Sequence, residues 1–208
     1  NSNADILTAA LFYRDEGDAY VTRANDFTAD VTQTTAFIAK QKAEGGGDYP
    51  EAVHTALEKG LQDLSWREDD CIRLAFMLLD APPHKEDKVL QSLHLSVPQY
   101  VKAGIRLIPV AASGVDKNTE FFLRFVAIAT DGTYVFITND SGIGGDHIAA
   151  TVGEYQVELL NDLITELGVG LLCHVLHVVD SFVDGHDVCQ GEECRLKNGI
   201  LNLHVTNR

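Results

Sequence analysis

The sequence predicts an α/β fold, with a mostly parallel open sheet and helices on both faces. Short apolar runs alternate with helical patterns along the chain, as is typical of βαβ units. The clearest runs are Ile6–Tyr13, Ile72–Leu79 and Ile105–Ala111, and a small or polar segment follows each of them. A chain of 208 residues with 45% hydrophobic content has enough apolar material to fill the core of one domain.

The first half of the chain predicts two strands and two helices. After the first strand, the acidic turn at residues 14–18 leads into a short edge strand at Tyr20–Ala24. Asp30 is expected to cap a helix that runs to about Ala43, where a glycine triplet ends it. Pro50 suits the first turn of the next helix. Apolar residues recur there at helical spacing: Val53, Ala56, Leu57, Leu61 and Leu64.

The second half continues the alternation of helices and strands. We expect a helix from about Glu86 to Ala103, with Pro98 as a kink or break and Gly104 as the stop. Thr119 is expected to open an apolar-faced helix. The remaining predictions are a turn at Asp131-Gly132, a strand at Thr133–Thr138, a glycine-rich loop at 139–146 and a closing helix at Val152–Leu167.

Charge and hydropathy exclude two classes of partner. The formal charge is −15, with 31 acids against 16 bases, whereas binding to a phosphate backbone needs clustered Lys and Arg. We therefore expect no nucleic-acid partner. The longest apolar stretch, Gly168–Val179, is shorter than a membrane span and contains two histidines, so we also expect no membrane span. Four cysteines predict neither a disulfide framework nor a compartment.

Two carboxylates are placed where a cation could bind. Asp80 ends the run Ile72–Leu79, and Asp48 lies on a loop before a helix. Ligands of open parallel sheets bind outside the carboxyl ends of the strands, so the two acids could share one hard cation. Asp15, in the turn after the first strand, is a further candidate for the same rim. The structural alternatives are that Asp48 caps a helix, that backbone amides satisfy Asp80 and that His84 is a loop residue.

Four segments resemble the von Willebrand factor A-like domains, in particular a bacterial subgroup. They are Phe12-Tyr13-Arg14-Asp15, the run Gly-Gly-Gly-Asp-Tyr-Pro-Glu-Ala-Val at 45–53, the run Leu-Leu-Asp-Ala-Pro-Pro-His at 78–84, and Phe121–Phe136. The resemblance spans Ile6–Leu167 and implies a Rossmann-like sheet with a metal-ion-dependent adhesion site. It puts Asp48 at the position of a metal-binding Thr and Asp80 at that of the last metal-binding Asp. The implied cofactor is Mg²⁺, or else Mn²⁺ or Ca²⁺.

The sequence departs from this family at its first strand. Ile6–Tyr13 matches the second strand of the family, so the first strand, with its Asp-x-Ser-x-Ser motif, is missing from the expected place. We therefore expect a domain at 1–167 that lacks this strand, followed by a C-terminal extension at 168–208 with an extra strand and a hairpin at Asn198-Gly199. The favoured interpretation is a truncated chain. In the alternative, Leu171–Val179 fills the vacant position as in a circular permutation, and Asp180 becomes a metal ligand.

The resemblance implies a metal-dependent protein-binding or adhesion module, not an enzyme. A divalent cation near Asp80 would bridge to an acidic residue of a protein ligand. The first alternative is a scaffold that has the fold without a working metal site. Metal-assisted hydrolysis, with Asp48, Asp80, His84 and Ser113, ranks third, because the sequence has neither a nucleophile-elbow pattern nor a phosphate-binding loop.

Overall fold

The computed structural model describes residues 6–42, 44, 48–68, 70–112, 114–137, 155–159, 172–180 and 202–206. Within these residues there are eight strands and four helices. The strands are β1 (Leu7–Tyr13), β2 (Thr22–Thr28), β3 (Ile72–Leu79), β4 (Ile105–Ala111), β5 (Val135–Ile137), β6 (Tyr155–Leu159), β7 (Leu172–Asp180) and β8 (Asn202–Thr206). The helices are α1 (Val31–Ile38), α2 (Val53–Gln62), α3 (Asp87–Lys102) and α4 (Lys117–Ala129).

The eight described strands form one sheet, in the order β2-β1-β7-β3-β4-β5-β8-β6. Five neighbouring strands run parallel to one another, namely β1, β7, β3, β4 and β5. Antiparallel strands complete both edges, with β2 beside β1 on one side and β8 followed by β6 on the other. This arrangement confirms the α/β class with a largely parallel sheet. Among the described helices, none is long and apolar enough to cross a membrane.

Helices pack on both faces of the sheet because side chains alternate along each strand. Leu11 and Tyr13 of β1 lie in the core cluster to which α2, α3 and α4 contribute. Phe12 points the other way, towards α1, where its ring packs edge-on against that of Phe37, with 5.9 Å between the ring centroids. On the same side, the hydroxyls of Thr8 and Thr34 form a buried hydrogen bond of 2.8 Å. The predicted two-sided arrangement is therefore present.

The centre of the parallel sheet is formed by β7, a strand from the C-terminal part of the chain. It pairs with β1 on one side and β3 on the other, in parallel in both cases. Strand β7 falls within the C-terminal extension that the sequence predicts at 168–208, and it overlaps the segment Leu171–Val179 that the alternative interpretation places in the sheet.

One predicted helix is wrong where the structure describes it. The segment Tyr155–Leu159, expected within a closing helix at Val152–Leu167, is strand β6 and pairs antiparallel with β8. Its sequence alternates apolar and polar residues, Tyr-Gln-Val-Glu-Leu, which is the two-residue period of a strand. The remaining residues of that prediction lie outside the described residues, as do the loop at 139–146 and the turn at Asn198-Gly199.

Several helix ends follow the predicted signals, and others shift. Asp30 caps α1, since its carboxylate accepts the N–H of Thr32 at 3.0 Å, but α1 ends at Ile38. Gly104 follows α3 with a left-handed backbone, at φ +65°, as expected of a helix stop. Other boundaries differ from the prediction. Helix α2 begins three residues after Pro50, and α3 continues through Pro98. Helix α4 begins at Lys117, after the cap Asp116.

Candidate metal centre

The candidate site lies at the carboxyl edge of the parallel strands. Tyr13, the last residue of β1, pairs with Asp180, the last residue of β7. Leu78 in β3 pairs with Val179, so the three strands end at the same level. The turn after β1 and the loop after β3 therefore start side by side, where open α/β sheets bind their ligands.

Hydrogen bonds join the loop before α2 to the loop after β3. The N–H of Glu51 donates to the carbonyl of Pro82 at 2.9 Å, and Glu51 also forms a parallel bridge with Pro83. The hydroxyl of Tyr49 donates to the carbonyls of Asp80, at 3.3 Å, and Gly114, at 3.0 Å. These bonds hold the loop that carries Asp48 against the one that carries His84.

The turn after β1 is held in place by the buried Arg14. Its backbone N–H donates to the carbonyl of Val21 at 2.9 Å, and its guanidinium donates to the carbonyl of Lys42 at 2.8 Å. The guanidinium also lies 4.5 Å from the centre of the Tyr20 ring, within the range of a cation–π contact. The next residue, Asp15, is thereby fixed at the start of the turn.

Asp15, Asp48 and His84 form the candidate centre. Each offers one ligand atom, and these atoms lie within 4.8 Å of one another. A hydrogen bond of 2.6 Å joins His84 Nε2 to Asp15 Oδ1, and their side chains are 18% and 15% exposed. Asp48 is exposed. Two ligands are therefore well shielded from water, and the third closes the group from the solvent side.

Two neighbouring histidines have pKa values displaced in opposite directions. Burial works against protonation of His84, but the hydrogen bond and charge of Asp15, with the charges of Glu86 and Asp48, outweigh it and raise its pKa. Burial lowers the pKa of His54, whose Nε2 lies 3.6 Å from Glu16 Oε1. A proton on His84 thus offsets the charge of the two aspartates, and a cation would offset the same charge.

The distances and ligand types suit a small divalent cation. Neighbouring ligands at about 2.1 Å from an octahedral ion lie about 3 Å apart, so His84 and Asp15 need to separate by only a few tenths of an ångström. Three ligands leave the remaining coordination positions to water or to an incoming ligand. Because carboxylates favour hard ions and imidazole favours transition metals, this mixed set suits Mn²⁺ or Zn²⁺ better than Mg²⁺.

The structure brings together only some of the residues that the sequence singled out. Asp15 and Asp48 meet, and they are joined by His84, which the sequence predicts as a loop residue and names otherwise only in the hydrolytic alternative. Asp80 follows β3 and is 8% exposed, and it is not a member of this three-residue group. Asp180 lies at the same edge by its pairing with Tyr13. The one sequence signal for His84 is its position just after a strand, in Asp-Ala-Pro-Pro-His.

Comparison with known proteins gives no further guide to the site. No protein-family model, curated protein or solved structure matches this chain. The resemblance to von Willebrand factor A-like domains therefore depends on the sequence segments described above.

Proposed function

We propose that this protein is a cation-dependent protein-binding module of the von Willebrand factor A-like type. Asp15, Asp48 and His84 hold a divalent metal ion, which in turn binds a carboxylate of a partner protein. The observation that carries the proposal is the meeting of these three side chains, from two loops and a turn, at the carboxyl edge of the sheet.

Electrostatics favours binding through a metal over direct contact with an acidic partner. The chain has a net charge of −15, so an approaching carboxylate meets a repulsive field. A bound cation reverses that field locally and offers an exchangeable position to the incoming oxygen. Such a switch needs no chemical step, so we propose a binding protein and not an enzyme.

We propose that the centre binds Mn²⁺ more tightly than Mg²⁺. Mg²⁺ prefers oxygen ligands in a near-ideal octahedron, whereas His84 contributes a nitrogen. The resemblance assigns metal binding to Asp80 as well, and Asp80 lies at the same edge, where its carbonyl accepts the hydroxyl of Tyr49. We therefore treat Asp80 and Asp180 as candidate outer members of the centre.

The proposal is tested by calorimetric titration and thermal unfolding with Mn²⁺, Zn²⁺, Mg²⁺ or EDTA. A ligand present at about 100 times its Kd should stabilise the folded state by about 2.7 kcal/mol. We expect Mn²⁺ to raise the melting temperature, and Asp48→Asn and His84→Gln each to abolish that rise. Asp48 is exposed, so its replacement should leave the metal-free protein as stable as wild type.

A matched control and a binding readout complete the experiment. Asp63→Asn removes a carboxylate that is 49% exposed and pairs with Lys59 on α2, and it should leave the metal response unchanged. The Mn²⁺-loaded protein should retain an acidic peptide on a column and release it in EDTA. If wild type responds to none of the three metals, the metal centre is refuted and the scaffold interpretation takes its place.

A further inference from the structure

The outer face of α4 carries an apolar stripe, which we define as Phe121, Phe125 and Ile128. Their spacings of four and three residues place them on one side of the helix. Their exposed fractions are 75%, 49% and 80%, whereas Leu123 and Val126 of the same helix are fully buried. Single exposed apolar residues are ordinary, whereas contiguous apolar patches of a few hundred Å² are often functional.

Opposite charges lie at the two ends of the stripe. Lys117, the first residue of α4, is exposed and precedes Phe121 by about one helical turn. Asp131 follows the helix and is 87% exposed. Each charge has the sign that the dipole of its own helix disfavours, since anions are favoured near a helix N-terminus and cations near its C-terminus. A second helix running in the opposite direction would turn both into favourable contacts.

We propose that the stripe pairs with the stripe of a second copy of this chain, as an antiparallel helix pair with a two-fold axis near Phe125. In this register Phe121 lies opposite Ile128 of the second copy. Lys117 lies opposite Asp131 to within about one residue, a rise of about 1.5 Å. The two-fold axis repeats every contact, so one pair of helices makes two ion pairs and one continuous apolar seam. Parallel pairing would instead place like charges together.

Local charge supports a second copy as the occupant in spite of the acidic net charge. Asp131 also contacts Arg106, with Nη2 and Oδ2 3.1 Å apart, and a carboxylate accepts hydrogen bonds at both oxygens, so it can bind two cations. Glu120 of α4 is buried and paired with Arg124, so its charge does not face the stripe. Repulsion from the remaining acids is screened beyond about 8 Å in physiological salt.

The size of the stripe indicates a weak dimer. Taking about 200 Å² for each side chain, the exposed fractions give on the order of 400 Å² per copy. Stable complexes bury about 800 Å² on each partner. The self-association should therefore be weak and concentration-dependent.

Sedimentation velocity of the full chain over a wide concentration range tests the proposal. Wild type should shift from monomer to dimer as the concentration rises, and Phe125→Glu should stay monomeric. Leu95→Asp is the matched control, because Leu95 is 66% exposed but lies on α3, and it should dimerise as wild type does. A wild type that is monomeric throughout, or a Phe125→Glu variant that dimerises normally, would overturn the proposal.

Charge reversal tests the antiparallel register. Lys117→Glu and Asp131→Lys each create two like-charge contacts, so each variant alone should associate more weakly than wild type. An equimolar mixture of the two variants should associate again, because both contacts become attractive. Asp131 has a left-handed backbone, at φ +55°, so Asp131→Asn provides a second variant that removes the charge and tolerates this conformation. Single variants that dimerise as strongly as wild type would overturn the register.

Discussion

At the scale of single residues, the metal centre joins side chains that are distant along the chain. His84 and Asp15 are 69 positions apart and meet at 2.6 Å, and Asp48 joins them from a third segment. Without a cation, a proton on His84 neutralises part of the acidic pair. Metal binding has to displace that proton, so the affinity for the metal should rise with pH.

The opposite pKa displacements of His84 and His54 predict opposite pH dependences of stability. The pKa of His84 is raised on folding, so its contribution is fully present below about pH 6.5 and is lost as the pH rises through the folded-state pKa. The pKa of His54 is lowered by burial. Its neutral form therefore stabilises the folded state above about pH 6.5, and that contribution is lost as the pH falls towards the folded-state pKa.

Urea unfolding in EDTA between weakly acidic and weakly alkaline pH measures both effects. His84→Gln should lose most stability, relative to wild type, at the acidic end of the range. His54→Gln should lose most at the alkaline end. Because all other titrating groups are shared, the difference between each variant and wild type isolates one histidine. Parallel curves for the two variants would contradict the assignment.

At the scale of elements, the turn between α4 and β5 packs tightly against β4. Thr130 Oγ1 accepts the N–H of Leu107 at 3.0 Å and donates to the carbonyl of Val126 at 2.9 Å. A Cβ atom at Gly132 would lie 1.9 Å from the carbonyl oxygen of Leu107. Because that oxygen belongs to a strand backbone, either the turn or the strand would have to move.

Gly132→Ala should therefore lower the free energy of unfolding by about 3 kcal/mol, the upper part of the usual range for overpacking. The matched control is Gly17→Ala. Gly17 has a left-handed backbone, at φ +103°, but nothing lies within 4 Å of its added Cβ, so only backbone strain of about 1 to 2 kcal/mol is expected. Chemical denaturation of both variants decides the point. Equal losses in the two variants would mean that the close approach to Leu107 is relieved without cost.

Elements with strong local signals could be predicted from the sequence, and contacts between elements could not. The run Ile72–Leu79 matches β3 at both ends, and the carboxylate of Asp30 identifies the start of α1. Tyr155–Leu159 has the two-residue period of a strand, but it lies within the longer segment Val152–Leu167 that is predicted as a helix. His84 was missed as a ligand because its contact with Asp15 depends on the order of β1, β7 and β3, which no local pattern encodes.

At the scale of the whole molecule, β7 links the two halves of the parallel sheet. It pairs with β1 and with β3, so without it β1 pairs only with β2, and β3 only with β4. The same strand brings the carboxyl ends of β1 and β3, and with them Asp15 and His84, to one edge. The fold and the candidate metal centre therefore depend on one segment near the C-terminus.

A chain cut after residue 167 should consequently fail to unfold cooperatively. This chain lacks β7, the central strand that pairs with β1 and β3. Because the stability of a whole domain is only about 5 to 15 kcal/mol, the fold should not survive the loss of both pairings. The control is a chain cut after residue 200, which keeps β7 and loses β8, the strand between β5 and β6. Circular dichroism during heating should show a cooperative transition for the control, at a lower temperature than for the full chain, and none for the shorter chain.

Adding a peptide of residues 168–208 to the shorter chain should restore the transition, because parallel pairing with β1 and β3 requires the strand but not its covalent connection. A cooperative transition of the shorter chain close to that of the full chain would show that β7 is dispensable.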